Sequence, residues 1–239
     1  MRLGILDCDR LDPEFEQQFG RVYSGMFIEG FRALAPHLEF RVWSALDGDL
    51  PTDLDECDGW LITGSRHDAY GDTPWVVALR EWVRRADEAR VKLAGVCFGH
   101  QLIAQALGGE VGKSDKGWGL GVASNAMLAS EPWMQPGLDR IRILASHQDQ
   151  VMRLPSGGRR LAGNDFCPNF MFGQGEHIVA IQGHPEFSVD YDRALIEKRQ
   201  PSLAPERYQA FLASLEQEVD STIMLGWLLR FLGMLPARP

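Results

Sequence analysis

VKLAGVCFGHQLIAQAL, residues Val91 to Leu107, is the stretch on which the fold turns. Leu93 to Val96 is a short apolar run, and from Gly99 to Leu107 the apolar residues recur at helical spacing. Between them sits Cys97, with Gly95 two residues before it and Gly99 two after. The pattern is a strand, a sharp turn and a helix, with the cysteine on the turn. GxCxG has the spacing of the GxSxG nucleophile elbow, sulfur replacing oxygen. So tight a turn forces its central residue into a strained backbone, and flanking glycines remove the Cβ atoms that would clash. The thiol should then project above the sheet edge at a helix N-terminus, whose partial positive charge and free N–H groups favour thiolate over thiol. The Phe98 backbone N–H is placed to donate to an oxyanion. The plain alternative is a small buried cysteine at a strand end. A base elsewhere in the chain decides between the two.

Outward from this turn, short β-rich runs alternate with helical patterns, as βαβ units of a parallel sheet do. Arg2 to Cys8 reads as the first strand, Leu38 to Trp43 as the second, and Gly59 to Thr63 (GWLIT) as a buried strand ending in the turn of Gly64 and Ser65. One amphipathic helix is expected from about Phe15 to Leu34, with Phe19, Val22, Tyr23, Met26 and Phe27 on one face. A second runs from Pro74, at its first turn, to about Arg90. After Gly108 and Gly109 the pieces are shorter and more strand-like: Gly117 to Ala123, Ile141 to Ala145, Arg160 to Ala162 and Ile178 to Gln182. From Val189 onward the chain reads as helical, with Glu206 to Val219 and Thr222 to Met234 as two helices. The expected organisation is one domain, residues 1–188, with a helical extension, residues 189–239, packed on it.

A thiolate nucleophile needs an imidazole within reach and a third group to hold the ring. His184 follows the strand Ile178 to Gln182 and belongs to GHPEF, Gly183 to Phe187. In extended backbone positions i and i+2 share a side, so Glu186 can reach the His184 ring and fix its tautomer, with Pro185 stiffening the segment. In open α/β sheets the C-terminal strand edges are where ligands gather. Of the other histidines, His100 should point away from Cys97 and be structural, His37 and His177 should be surface residues, and His67 should line the pocket mouth.

Taken together, GVCFGHQ, ITGS (Ile62 to Ser65), SHQDQV (Ser146 to Val151) and GHPEF resemble class I, triad-type glutamine amidotransferases, especially the glutaminase domain of GMP synthase and its stand-alone relatives, over roughly Leu3 to Phe187. The resemblance implies an α/β, flavodoxin-like three-layer sandwich with a mostly parallel central sheet. It implies a γ-glutamyl thioester on Cys97, His184 as general base and acid, and Glu186 as its orienter. It also implies an oxyanion hole from the Gly64 and Phe98 backbone N–H groups, Gln101 in contact with the glutamyl group, and Ser146, His147 and Gln148 at its α-amino and α-carboxylate ends. The implied substrate is glutamine or a γ-glutamyl small molecule, with a separate ammonia-accepting synthase as a partner in one version. No P-loop GxxxxGK[ST] occurs, so GMP synthesis by this chain alone is not expected.

Composition narrows the remaining classes. The 239 residues, 45% hydrophobic, suffice for one large α/β domain. A formal net charge of -9 disfavours nucleic acid and anionic membranes, whose affinity rests on clustered Lys and Arg. The N-terminus MRLGILDCDR lacks the pattern of a secretory signal, and Thr222 to Leu235 is too short to span a bilayer and carries Arg230. The four cysteines form no CxxC pair and no metal-ligand spacing, so free thiols, a cytoplasmic location, no metal and no cofactor are expected. A γ-glutamyl hydrolase or peptidase with the same triad, and a non-catalytic binding protein on the same fold, are the competing readings. A thiolate and imidazolium pair should give a bell-shaped pH profile.

Overall fold

The computed structural model describes residues 1–19 and 23–236. In chain order its first elements are β1 (Arg2–Asp7), α1 (Pro13–Phe19), α2 (Tyr23–Leu34), β2 (Glu39–Ser44), β3 (Gly59–Ile62), α3 (Pro74–Glu88), β4 (Leu93–Val96), α4 (Phe98–Ala106) and β5 (Glu110–Lys113). There follow β6 (Gly119–Met127), β7 (Arg140–His147), β8 (Asp149–Arg153), β9 (Gly158–Gly163), β10 (Met171–Gln174) and β11 (Ile178–Ile181). Helices α5 (Val189–Arg199), α6 (Pro205–Ser214) and α7 (Ser221–Phe231) come last.

Nine strands form one sheet in the order β2-β1-β3-β4-β11-β10-β9-β6-β7. The block from β2 to β11 is parallel, and an antiparallel wing continues from β10 to β7. This is the expected α/β three-layer architecture. Strands β3, β4 and β11 are buried along their whole length, as apolar strands covered on both faces must be. Alternation sorts their side chains. Leu3, Ile5, Leu61, Val96 and Ile181 face a cluster with Phe27 and Phe31 of α2 and Trp227 and Leu228 of α7. Leu6, Trp60, Ile62 and Leu93 face the opposite one, with Leu79, Trp82 and Val83 of α3 and Leu102 and Ile103 of α4. In α3 the buried positions, Trp75, Val76, Leu79, Trp82, Val83 and Ala86, recur at helical spacing. The third cluster joins α1 and α5 to the antiparallel wing through Phe15, Tyr191, Leu120 and Leu144.

All described residues of the stretch expected as a helix from Phe15 to Leu34 are helical, as α1 and α2, and residues 20–22, Val22 among them, lie outside the described residues. The two ends have different destinations: Phe15 packs edge-on to Tyr191 at 5.5 Å, whereas Phe27 and Phe31 enter the central core. The structure corrects several expectations. Strands β5, β8 and β10 were not expected. Glu110–Lys113 and Asp149–Arg153 lack an apolar alternation and are held by pairing with each other, a tertiary partnership that no local pattern announces. His177 is buried rather than on the surface, its Nε2 2.8 Å from Asp87 Oδ1.

A parallel arrangement sends the C-terminal ends of β1, β3, β4 and β11 to one edge of the sheet. Asp9, Gly64, Cys97 and His184 follow those ends by no more than three residues, so chain direction alone gathers them.

Candidate active site

Cys97 joins β4 to α4 with φ 52° and ψ −99°, and Arg90 is the only other non-glycine residue with positive φ among the described residues. A conformation of this kind costs about 1–3 kcal/mol and persists only where its surroundings enforce it. The surroundings are specific. The Cys97 N–H donates to the Ile181 carbonyl at 2.9 Å, the Gly99 N–H to the Thr63 carbonyl at 3.2 Å, and the Gln101 N–H to the Cys97 carbonyl at 3.1 Å. The turn is thus stitched to the ends of β11 and β3 and to its own helix. Space demands both glycines: a Cβ on Gly95 would lie 2.5 Å from Ile103 Cδ1, and one on Gly99 would lie 2.4 Å from the Ile62 carbonyl oxygen. The thiol is buried, with 6% of the residue exposed, and opens into a cavity rather than to bulk water.

His184 and Glu186 meet as their spacing predicts, with Nδ1 2.7 Å from Oε1. Both are buried, and the imidazole stacks on Phe187 with ring centres 4.0 Å apart. Burial works against a charged ring here, but the Cys97 sulfur and the Glu186 carboxylate outweigh it and raise His184 to about 10. The two neighbours thus favour the protonated imidazole. The second Glu186 oxygen is buried with no hydrogen-bond partner among the described residues.

Gly64 completes the group. A Cβ there would sit 2.9 Å from His184 Cε1, 3.2 Å from Tyr23 Cε1 and 3.7 Å from Cys97 Cβ. Glycine is what lets a ligand atom reach the space between thiol and imidazole. Neither the Gly64 nor the Phe98 backbone N–H is engaged by another group among the described residues. Two free donors beside a thiol at a helix N-terminus can receive a developing oxyanion.

The cavity has a volume of about 540 Å3 and is lined by Cys97, His184, Gln101, Ser146, His147 and Gln148 together. Glu186 lies behind His184 and does not line it. His147 is buried and pushed down to about 4 by that burial, so it is neutral. Its Nδ1 lies 3.1 Å from the Asp149 carbonyl, which can only accept, so that nitrogen carries the hydrogen. His67 is at the mouth, edge-on to Trp75 at 5.4 Å, as expected. His100 has the structural place expected of it, buried with Nε2 2.8 Å from the Asn169 carbonyl. His37 is exposed.

Four further residues were missed from the sequence. Tyr23, Trp118 and Arg199 line the cavity, and Gln182 donates to the Cys97 sulfur at 3.6 Å. Gln182 had a visible signal, since it ends β11 directly before GHPEF. Trp118 and Arg199 had none, because they lie in segments whose local pattern says only short strand and polar helix. The first strand's end contributes Asp9, whose buried carboxylate receives Arg66 from the β3 end at 3.1 Å. Among the described residues no group of three or more His, Cys, Asp or Glu could hold a metal ion, and no helix is long and apolar enough to cross a membrane.

Comparison with known proteins adds three findings. The family model "Glutamine amidotransferase class-I" matches residues 29–199. Gamma-glutamyl peptidase 3 of Arabidopsis thaliana is 36% identical over 186 residues, covering 74% of this chain and 74% of its own, and one component of the glutamine-hydrolyzing GMP synthase of Archaeoglobus fulgidus is 37% identical over 117 residues, 46% of this chain and 63% of its own. The crystal structure of a glutamine amidotransferase from Thermotoga maritima superposes with a TM-score of 0.77 over 97% of this chain and 98% of that one at 20% identity, a likeness of fold.

Proposed function

The chain belongs to the class I glutamine amidotransferase family, and on that premise we propose that it hydrolyses the γ-amide of glutamine or of a γ-glutamyl compound through a thioester on Cys97. The observation that carries this reading is the strained Cys97 turn beside the buried His184 and Glu186 pair. The Cys97 thiolate attacks the γ-carbonyl carbon, forming a carbon–sulfur bond and an oxyanion that the Gly64 and Phe98 N–H groups receive. The oxyanion collapses, the carbon–nitrogen bond breaks, and the His184 imidazolium gives its proton to the departing amine. Water then attacks the thioester, the now neutral His184 takes a proton from it, and the thiolate leaves as glutamate is released. Glu186 holds the ring in one tautomer and steadies its positive charge. Gln101, Ser146, His147 and Gln148 are assigned to the glutamyl group. The four cysteines, all free and buried, suit the reducing cytoplasm. A separate ammonia-accepting synthase fits this reading, by analogy with the GMP synthase component.

A second reading, γ-glutamyl peptidase, is favoured by one specific feature. Cavities of this size hold drug-sized ligands, more than one amino acid requires. Of the cations lining it, Arg10 pairs with Asp47, Arg66 with Asp9 and Asp12, and Lys198 with Asp12, while the charge of Lys113 acts on Asp149. Arg199 has no carboxylate at salt-bridge distance among the described residues, and its charge acts at longer range on the buried Asp192. Its guanidinium lies over the Trp118 ring at 4.5 Å and donates to the Leu195 carbonyl at 3.1 Å. Burial lowers its pKa from the usual arginine value, which marks a cation partly stripped of water. A leaving amine that carries a carboxylate would complete it.

The test is a panel of glutamine, γ-glutamylglycine and the neutral γ-glutamyl ethylamide, each followed by release of ammonia or amine. Arg199→Met should lower kcat/KM for γ-glutamylglycine roughly 10- to 100-fold, the scale of a charge-assisted hydrogen bond, and leave the ethylamide unchanged. Equal losses on both would remove the carboxylate role. Turnover of glutamine alone, and only with a second protein added, would select the role of an amidotransferase component that feeds a synthase.

A further inference from the structure

Beside the thiol, two buried amides and one carbonyl form an unbroken chain. Gln101 Nε2 donates to the Asp149 carbonyl at 2.9 Å and to Gln182 Oε1 at 3.1 Å, and Gln182 Nε2 donates to Cys97 Sγ at 3.6 Å. A side-chain amide keeps nearly the same shape when its ends are exchanged, so its partners decide which end points where. Here the far end of the chain decides. A backbone carbonyl can only accept, so the Gln101 end at Asp149 is the NH2. That NH2 is also the group facing Gln182, which must therefore present its oxygen. The Gln182 NH2 is left against the sulfur.

A donor in that position suits a thiolate, which accepts a charge-assisted hydrogen bond, better than a thiol. Gln182 is fully buried and Gln101 almost so, which keeps bulk water from competing for either amide. The backbone reinforces the arrangement: the Gln182 N–H donates to the Phe170 carbonyl at 2.8 Å, and Ile181 just before it accepts from the Cys97 N–H. The end of β11 thus holds the elbow by main chain and side chain at once. Neither His184 nor Glu186 is part of this chain.

Resting on the reading of Cys97 as nucleophile, we infer that Gln182 is a positioning residue, whose NH2 holds the Cys97 thiolate in an orientation set through Gln101 by the Asp149 carbonyl. Asp149 directly follows Ser146, His147 and Gln148, so the chain runs from the wall assigned to the glutamyl group to the attacking atom. With both hydrogens of Gln101 engaged, that side chain meets a ligand through its oxygen, as an acceptor suited to an α-ammonium group.

Gln182→Met keeps the bulk and removes the donor. It should lower kcat roughly 10- to 100-fold, the scale of one hydrogen bond to a charged group, with KM for the γ-glutamyl substrate unchanged and the ultraviolet absorbance of the thiolate at neutral pH reduced. A variant with wild-type kcat and absorbance would overturn the inference. A second measurement needs no substitution at Gln182. In wild-type protein the Gln182 side-chain amide resonance should move when Cys97 is alkylated, and its standing still would overturn the inference equally. If wild-type protein hydrolyses no γ-glutamyl compound at all, the nucleophile reading fails, while the amide resonance still reports on the contact between Gln182 and Cys97.

Discussion

Cys97→Gly and Cys97→Ala should both lose γ-glutamyl hydrolysis by on the order of a million-fold, the scale of nucleophile deletion, and the glycine variant should be the more stable of the two. In ordinary helix or strand the order is reversed, because glycine costs roughly 0.5–1 kcal/mol relative to alanine. At φ 52° and ψ −99°, however, alanine retains a Cβ in a region that side chains avoid, and glycine does not. Both variants lose the same thiol and its contacts, so those losses cancel in the comparison. With strain of about 1–3 kcal/mol released, Cys97→Gly should melt roughly 2–12 °C above Cys97→Ala. Calorimetry on the pair reads this directly. An alanine variant as stable as the glycine variant would mean that the elbow stores no strain. Residual hydrolysis in either would mean that another group attacks.

Gly99→Ala tests the elbow from its other side. The added methyl would lie 2.4 Å from the Ile62 carbonyl oxygen and 2.9 Å from Ile62 Cβ. The first of these belongs to the backbone of a strand at the centre of the sheet and cannot rotate away. The helix must move instead, taking Cys97 and the Phe98 N–H with it. Overpacking of this severity costs about 3 kcal/mol or more, a fall of roughly 6–12 °C in Tm. A shift of about 1 Å in the attacking atom lowers the rate of the folded fraction by about 100-fold. Gly137, whose added Cβ would meet nothing within 4 Å, supplies the control, and Gly137→Ala should leave both quantities unchanged. A Gly99→Ala protein with wild-type Tm and rate would show that the close approach of α4 to β3 is not required.

The two predictions draw on the part of the molecule most legible in the sequence. GxCxG between an apolar run and a helical pattern dictates its own geometry, because backbone sterics act within five residues. The His184 and Glu186 contact was legible for the same reason: an i, i+2 pair in extended chain needs no knowledge of the rest of the fold. Gathering them at one sheet edge needed only the expectation that the strands are parallel. What escaped was decided by partners far along the chain. Gln182 is an ordinary strand-end amide until Gln101 and Asp149 fix its direction. Arg199 is one more polar helical residue until Trp118 comes beneath it. His177 looked exposed because Asp87, 90 positions away in sequence, could not be seen to cover it. The pairing of β5 with β8 follows the same rule.

The central claim is that Cys97 attacks a γ-glutamyl carbonyl, and it is tested most directly by incubating the protein with a glutamine-like chloroketone or diazo-ketone and mapping the adduct by mass spectrometry. The account predicts one adduct, on Cys97, formed more slowly when glutamine or γ-glutamylglycine is present and absent from Cys97→Ala. An adduct that persists in Cys97→Ala, or wild-type protein left unlabelled, would contradict it.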